Sequence, residues 1–326
     1  LLEPSAGWCV LESDMKIHKL MALAPVALML TGCDIEDMAS WGSSDRFKEE
    51  FRLSYPVKPG GTLAIDNFNG SVEILSWEKD EVDVNGVKYC ATEEMLRELK
   101  VEGTQSGNTV RLRTLRPEGR RGNCGAKYVL RVPKKMLLDG IVSSNGSIRV
   151  ENIVGNARLQ SSNGSVKVRS AEGRLDAKTS NAGIEVMGLT GDFVGRTSNG
   201  SISVEGLEGA FEAETSNSSI KARVNKLAEG RPVKADTSNG SIDLALPDYK
   251  GQALELDTSN SGITLRLPAG VNADLKASTS NSSITNEFEM NQTAAMSKTR
   301  VEGRIGTGGG PIRLTTSNGG VRVQKL

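Results

Sequence analysis

Thr197-Ser198-Asn199-Gly200-Ser201-Ile202-Ser203-Val204-Glu205-Gly206-Leu207-Glu208-Gly209-Ala210-Phe211-Glu212-Ala213-Glu214 runs directly into Thr215-Ser216-Asn217, where the same pattern starts again. A Ser-Ser-Asn or Thr-Ser-Asn tripeptide ends at Asn145, Asn163, Asn181, Asn199, Asn217, Asn239, Asn260, Asn281 and Asn318. The first five asparagines are 18 residues apart; the later intervals are 22, 21, 21 and 37, the last with room for a degenerate coil or an insertion. Three residues after each asparagine stands a β-branched apolar residue: Ile148, Val166, Ile184, Ile202, Ile220, Ile242, Ile263, Ile284 and Val321. A second apolar residue often follows two positions on, as at Val150, Val168, Val186 and Val204. Such alternation marks a half-buried strand. Gly155, Gly173, Gly191 and Gly209 then recur at a fixed phase, each followed by a second short strand such as Ala157-Arg158-Leu159.

Two architectures use this pattern. Asn-Gly is a hairpin signal, so an antiparallel meander is one. In a meander, however, successive turns on one edge lie two strands apart, and repeating all three residues of Thr-Ser-Asn has no purpose. In a solenoid each repeat is one coil, and the same corner recurs at about 4.8 Å, close enough for one asparagine amide to bond the next. Asn also tolerates the left-handed backbone that a sharp corner needs. Gly follows the asparagine at only five of the nine corners, while Ala182, Ser218, Ser261 and Ser282 take the others; type I′ hairpins would demand Gly more strictly. The reading is an all-β, right-handed parallel β-helix or solenoid, with coils of about 18–22 residues and an irregular N-terminal capping segment. The nine asparagines are expected to form a structural ladder. The outward residues Arg149, Lys167, Glu185, Ser203, Lys221, Asp243 and Thr264 alternate in sign without forming a stripe and read as a solvated face, with a binding patch the less favoured reading.

Composition agrees. Aromatic residues make up 4% of the 326, and 36 are glycine. That suits a narrow core of Ile, Val, Leu and Ala with many tight turns. Lys plus Arg and Asp plus Glu are 40 each, so nothing in the net charge favours nucleic acid as a partner. The single histidine, His18, lies in a segment expected to be removed. The cysteines Cys9, Cys33, Cys90 and Cys124 form no CxxC pair, and no metal or cofactor is expected.

The N-terminus reads as an address. Lys16-Ile17-His18-Lys19 precedes an apolar run from Leu20 to Leu30, a signal-peptide pattern too short to span a bilayer. Leu30-Thr31-Gly32-Cys33 resembles the bacterial lipobox, which implies lipidation at Cys33, cleavage before it, and anchoring by several acyl chains. Asp34 resembles the inner-membrane retention signal of enteric bacteria. The expected organisation is an upstream extension without function (1–14), a lipoprotein signal peptide (15–32), a membrane-proximal linker (33–58), N-terminal strands and cap (59–135), and solenoid repeats (136–326). Cys90 and Cys124 are the cysteines left for a disulfide in an oxidising compartment.

Within 59–135, Asn69-Gly70-Ser71-Val72 matches the repeat and is expected to start the sheet. Thr92 to Leu99 reads as a short helix with Thr92 as N-cap and Leu96 and Leu99 facing inward. The stretch between Arg111 and Lys135, with Arg116, Arg120, Arg121, Lys127 and Lys134, is the one basic concentration. An anionic glycan or headgroup is one reading of it, a charged loop beside alternating strand faces the other. The glycines at 306 and 308–310 are followed by no Lys-Ser/Thr and no helix, unlike a nucleotide loop.

Pro59-Gly60-Gly61-Thr62-Leu63, Asn69-Gly70-Ser71-Val72, the Thr-Ser-Asn-Gly-Ser-Ile repeats, Leu267-Pro268-Ala269-Gly270-Val271 and Gly308-Gly309-Gly310-Pro311-Ile312 together resemble the bacterial putative-adhesin family over about residues 55–326. The resemblance implies a β-helical fold and a cell-envelope setting, and it brings no catalytic residues. The leading expectation is a non-enzymatic envelope lipoprotein that presents a rigid solenoid for adhesion or another envelope interaction. Its partner would be an envelope protein or a glycan, and self-association is open. A glycan-binding module is the alternative. A polysaccharide-active β-helix enzyme is less favoured, because the acids are scattered rather than clustered.

Overall fold

The computed structural model describes residues 46–118 and 122–326, all within one compact unit. The expected extension, signal peptide, Cys33 and the linker as far as residue 45 lie outside the described residues, as do Arg120 and Arg121. Two sheets of 13 and 14 strands enclose one apolar core. Eleven strands of each are solenoid strands, one per coil; the rest are antiparallel additions at the ends.

The coils stack in parallel register. In the first sheet Ile184–Thr190 lies between Val166–Glu172 and Ile202–Gly209, so Ile184 stands beside Val166 and Ile202. In the second sheet Phe193–Arg196 lies between Leu175–Lys178 and Phe211–Thr215. Alternate side chains enter the core, as periodicity two requires. Large and small residues compensate within a coil. The rings of Phe193 and Phe211 stack with centroids 5.8 Å apart. The next inward positions are Gly195 and Ala213, and a Cβ on Gly195 would stand 2.4 Å from the Phe193 ring.

The left-handed backbone falls elsewhere than expected. None of the nine corner asparagines has a positive φ, so left-handed tolerance does not explain them. Positive φ instead marks the fixed glycines Gly155, Gly173, Gly191 and Gly209 and, three residues before them, the column Asn152 (57°), Ser170 (52°), Gly188 (68°) and Gly206 (73°). Gly after an asparagine serves close approach: a Cβ on Gly200 would lie 1.7 Å from the Ala182 carbonyl oxygen of the neighbouring coil.

Spatial order departs from chain order at both ends. Val321–Lys325 pairs with Ile263–Leu267 on one side and Ile284–Asn286 on the other. Gly310–Thr316 likewise separates Leu254–Thr258 from Ala273–Ser278. The last coil in sequence is therefore slotted between the two before it. The 37-residue interval contains an antiparallel hairpin, Met290–Met296 with Arg300–Ile305, which adds to the edge of Ala273–Ser278. At the other end, the coil Gly61–Asn67 and Val72–Trp77 does not start the stack as expected. It is held between Met136–Ser143 and Ile148–Glu151 on one side and Thr109–Leu115 and Cys124–Pro133 on the other.

Antiparallel strands extend the outermost coils. Glu81–Cys90 pairs with Cys124–Pro133, and Phe47–Pro56 pairs with Glu81–Cys90. Residues 47–56 thus belong to the sheet and not to a linker. Lys100–Ser106 covers the other sheet. These additions close the parallel stack, whose open ends would expose unpaired backbone. The helix is Glu93–Glu98, with the Thr92 hydroxyl accepting from Met95 N–H and Leu96 and Leu99 buried. It packs a small second core of Cys90, Met95, Leu96, Leu99 and Cys124.

Because each coil buries its apolar face only against neighbours, whole coils are removable and parts of coils are not. Deleting Ser165 to Ala182, one full period, is expected to leave a cooperatively folded protein. Deleting only Ser165 to Gly173 is expected to put every later inward position out of phase. Circular dichroism and limited proteolysis read the difference; equal disruption by both deletions would contradict coil-by-coil stacking.

Candidate interaction surface

The Thr-Ser-Asn corner is the feature repeated most faithfully, and three ladders run through it. The first is backbone: Ser180 and Asn181 N–H both donate to the Ser162 carbonyl, at 3.1 and 2.9 Å, and the pattern recurs from coil to coil. The second is buried. Ser143, Ser161, Thr179, Thr197, Thr215, Thr237, Thr258, Thr279 and Thr316 are all shielded from solvent. Each hydroxyl donates to a carbonyl of the adjoining coil, as Thr197 does to Ala182 at 3.0 Å and Thr215 to Gly200 at 3.0 Å. Where Gly follows the asparagine, the hydroxyl also accepts that Gly N–H, as Thr197 does from Gly200 at 3.2 Å.

The third ladder is exposed. Asn163 Nδ2 donates to Asn145 Oδ1 at 2.6 Å, and the chain of bonds continues through Asn181, Asn199, Asn217, Asn239 and Asn260. From there it does not go to Asn281. Asn318 donates to Asn260 and Asn281 donates to Asn318, both at 2.7 Å, following the slotted coil. All nine predicted asparagines are thus brought into one column. The column breaks at its N-terminal end, where Asn145 Nδ2 reaches the Phe68 carbonyl at 3.4 Å, while Asn69 donates to Asn123 Oδ1 and to the Cys124 carbonyl.

The buried hydroxyls escape sequence reasoning because Thr beside Ser-Asn looks like ordinary turn chemistry. The available signal was phase: Thr179, Thr197 and Thr215 continue the inward parity of Ala177, Gly195 and Ala213.

The flanking faces carry charge that varies by coil. Cross-strand ion pairs join Lys167 to Glu185 at 3.2 Å, Arg149 to Glu73 at 3.6 Å, Arg196 to Glu212 at 2.7 Å, and Arg266 to Asp243. Pairs this exposed contribute little stability. Glu214, Asp236 and Asp257 adjoin in register on the second sheet. Burial, then the carboxylates of Glu214 and Glu255, push the Asp236 carboxyl up; burial, then Asp236 and Glu255, do the same to Asp257. Among the described residues no three His, Cys, Asp or Glu converge as a metal site would.

Among the described residues, the basic concentration is divided between the two sheets. Arg111 and Arg113 stand on the second sheet, where Arg113 faces Asp66 at 3.6 Å. Lys127 and Arg131 stand on the first. Arg116 lies over the Phe68 ring, 4.5 Å from its centroid. Cys90 and Cys124 sit opposite each other in register and are joined as a disulfide.

Asn199→Ala is expected to lower stability by about 1–2 kcal/mol, two exposed hydrogen bonds. Thr197→Val is expected to cost about 2–3 kcal/mol, since it strands a buried carbonyl and a buried N–H. Urea midpoints that rank the two the other way would contradict this division of labour. For Asp236, a folded-state pKa above the unfolded one means its charge destabilises at neutral pH, and that penalty vanishes as pH falls below the unfolded pKa. Asp236→Asn is therefore expected to raise the urea midpoint at neutral pH and to have little effect in acid; an equal change at both would contradict it.

No protein-family model matches the chain, and no curated protein matches it. Among solved structures it is similar to a putative cell adhesion protein from Clostridium sporogenes, at 11% identity over 85% of this chain and 100% of that one, with a TM-score of 0.22. It is also similar to a putative adhesin from Bacteroides fragilis, at 13% identity over 85% of this chain and 97% of that one, with a TM-score of 0.36.

Proposed function

We propose that this chain is a non-enzymatic lipoprotein of the bacterial cell envelope that presents a rigid β-solenoid for adhesion or another envelope-associated interaction. The observation that carries the proposal is the division of the surface. A continuous, uncharged corner of Ser and Asn spans nine coils, and the faces beside it change residue from coil to coil on an unchanging backbone. That is a display scaffold, with a long repetitive surface for contact. Export is supported by the apolar run ending at Leu30-Thr31-Gly32-Cys33 and is compatible with the Cys90–Cys124 disulfide.

A second reading has an observation of its own. Asn163, Asn181, Asn199, Asn217, Asn260, Asn281 and Asn318 each use one amide N–H on the neighbouring asparagine, leaving the other for a ligand, whereas Asn239 also donates to the Ser216 carbonyl at 3.4 Å. An uncharged row of amides and hydroxyls repeating at about 4.8 Å suits a neutral linear glycan lying along the corner.

Cys33→Ala is expected to accumulate as uncleaved precursor without acyl label; equal palmitate labelling of mutant and wild type would contradict the anchor. The unanchored protein is then expected to bind whole envelopes saturably. A glycan array separates the readings: signal on neutral linear glycans that falls in Asn199→Ala supports the second, and envelope binding without array signal supports a protein partner. Turnover of any bound polysaccharide would overturn both.

A further inference from the structure

We propose that Asn69 is a site of spontaneous covalent modification, where the side-chain amide is lost to attack by the Gly70 backbone nitrogen, leaving aspartate or isoaspartate. The chain contains seven Asn-Gly steps, at Asn69, Asn85, Asn145, Asn163, Asn199, Asn239 and Asn318. Asn-Gly is the step most open to this reaction, because glycine puts no side chain in the way of ring closure.

Five of the seven are guarded in the same manner. The nitrogen that would attack holds its proton in a bond to the corner hydroxyl: Gly146 to Ser143, Gly164 to Ser161, Gly200 to Thr197, Gly240 to Thr237 and Gly319 to Thr316, at 2.9–3.2 Å. The asparagine carbonyl that would be attacked is also held, because each of these five Oδ1 atoms accepts the next amide of the ladder. Asn85-Gly86 lies within Glu81–Cys90, paired on both sides by antiparallel strands.

Asn69-Gly70 has neither guard. The residue in the hydroxyl position is Asn67, which is fully buried. Its Nδ2 donates to the Gly70 and Ala126 carbonyls, and its Oδ1 accepts no bond at all. The Gly70 N–H makes no hydrogen bond to any described residue. The ladder breaks at the same place, since Asn145 donates to the Phe68 carbonyl instead of to Asn69 Oδ1.

The chemistry needs only solvent. The Gly70 nitrogen yields its proton to hydroxide and bonds to Asn69 Cγ. The Cγ–Nδ2 bond breaks, and ammonia leaves with a proton from water. Water then opens the five-membered imide at either carbonyl, giving aspartate or isoaspartate. The product cannot donate, although Asn69 Nδ2 now donates to Asn123 Oδ1 at 3.0 Å and to the Cys124 carbonyl at 2.8 Å. A carboxylate facing those two acceptors would loosen the coil from the disulfide-bearing end of the stack.

The test is peptide mapping of the full-length protein, held at mildly alkaline pH in detergent, with isoaspartate and the amide-to-acid mass change read at all seven sites in one digest. Asn69 is expected to convert at least about tenfold faster than the five ladder sites, the rate equivalent of about one hydrogen bond. Asn67→Ser supplies the missing hydroxyl and is expected to slow Asn69 to the ladder rate. If that variant unfolds, every site accelerates together, and Thr197→Val then decides: it frees the Gly200 N–H and should speed Asn199 selectively. Conversion at Asn69 no faster than at the ladder sites overturns the proposal, as does a folded Asn67→Ser protein with an unchanged Asn69 rate.

Discussion

Each coil must bring a buried donor to a carbonyl of the coil it stacks on: a Ser or Thr hydroxyl along the ladder, and the Asn67 amide in the coil Gly61–Trp77. The residue after a corner asparagine, from Gly70 to Ser261 and at Gly319, presents a carbonyl to the next coil's hydroxyl and accepts no backbone N–H. The bonds from Ser143 to Gly70, Ser161 to Gly146, Thr179 to Gly164 and so on through Thr279 to Gly319 account for those carbonyls one by one. A buried carbonyl without a donor costs about 1–3 kcal/mol, and a stack of coils would meet that cost at every corner. This constraint explains why Thr or Ser occupies an inward position in a core otherwise built of Val, Ile, Leu and Ala. It also explains the end of the series. Thr114, in the outermost coil, has no coil beyond it and bonds instead to the buried Tyr128 hydroxyl at 2.5 Å, whose own ionisation burial pushes up to about 12.

The slotted coils at the two ends follow from the same requirement for neighbours on both sides. A terminal coil has one neighbour and an open backbone edge. Here the coils at Gly61–Trp77 and Gly310–Lys325 take interior places, and the segments that reach the ends carry antiparallel strands, a hairpin or the disulfide. The hairpin at Met290–Ile305 is the connection that lets the chain leave the stack and re-enter it one coil back. The irregular regions of the sequence, 78–135 and 287–309, are thus the parts that close the solenoid.

Most of the solenoid was legible because its determinants are local and periodic. Asparagine spacing, the β-branched residue three positions on, the Thr92 cap and the inward Leu96 and Leu99 all depend on neighbours in sequence. What was not legible depends on adjacency in space. Intervals of 21 and 37 residues suggest that Asn281 follows Asn260 in the stack; only strand register shows Asn318 between them. The Asn corner does not carry the positive φ its propensity suggests: that backbone falls at the fixed glycines Gly155, Gly173, Gly191 and Gly209 and at the column Asn152, Ser170, Gly188 and Gly206, which has no single residue signature. In the strand Phe47–Pro56 the apolar alternation is confined to Phe51, Leu53 and Tyr55, which pack half-buried on the core, while Lys48, Glu49 and Glu50 leave its first half charged and exposed; at the edge of the sheet, so short a signal beside a charged run does not mark a strand.

The division between what is fixed and what varies bears on function. Each interior ladder asparagine is tied to the coils above and below, so a substitution there is felt by three coils at once, while each buried hydroxyl ties its own corner to one adjoining coil. Outward residues on the faces answer to no such rule: one column runs Arg169, Met187, Glu205, Arg223, and Met187 is 44% exposed among charges. Cross-strand pairs such as Lys167–Glu185 are too exposed to constrain the fold strongly. A scaffold of this kind separates stability from recognition. The ladders set the spacing of about 4.8 Å at which any outward side chain is presented, and the identity of those side chains can change without disturbing the ladders. Selectivity for a partner would then be written across several coils of a face, and it would survive loss of any single contact better than it would survive a shift of register.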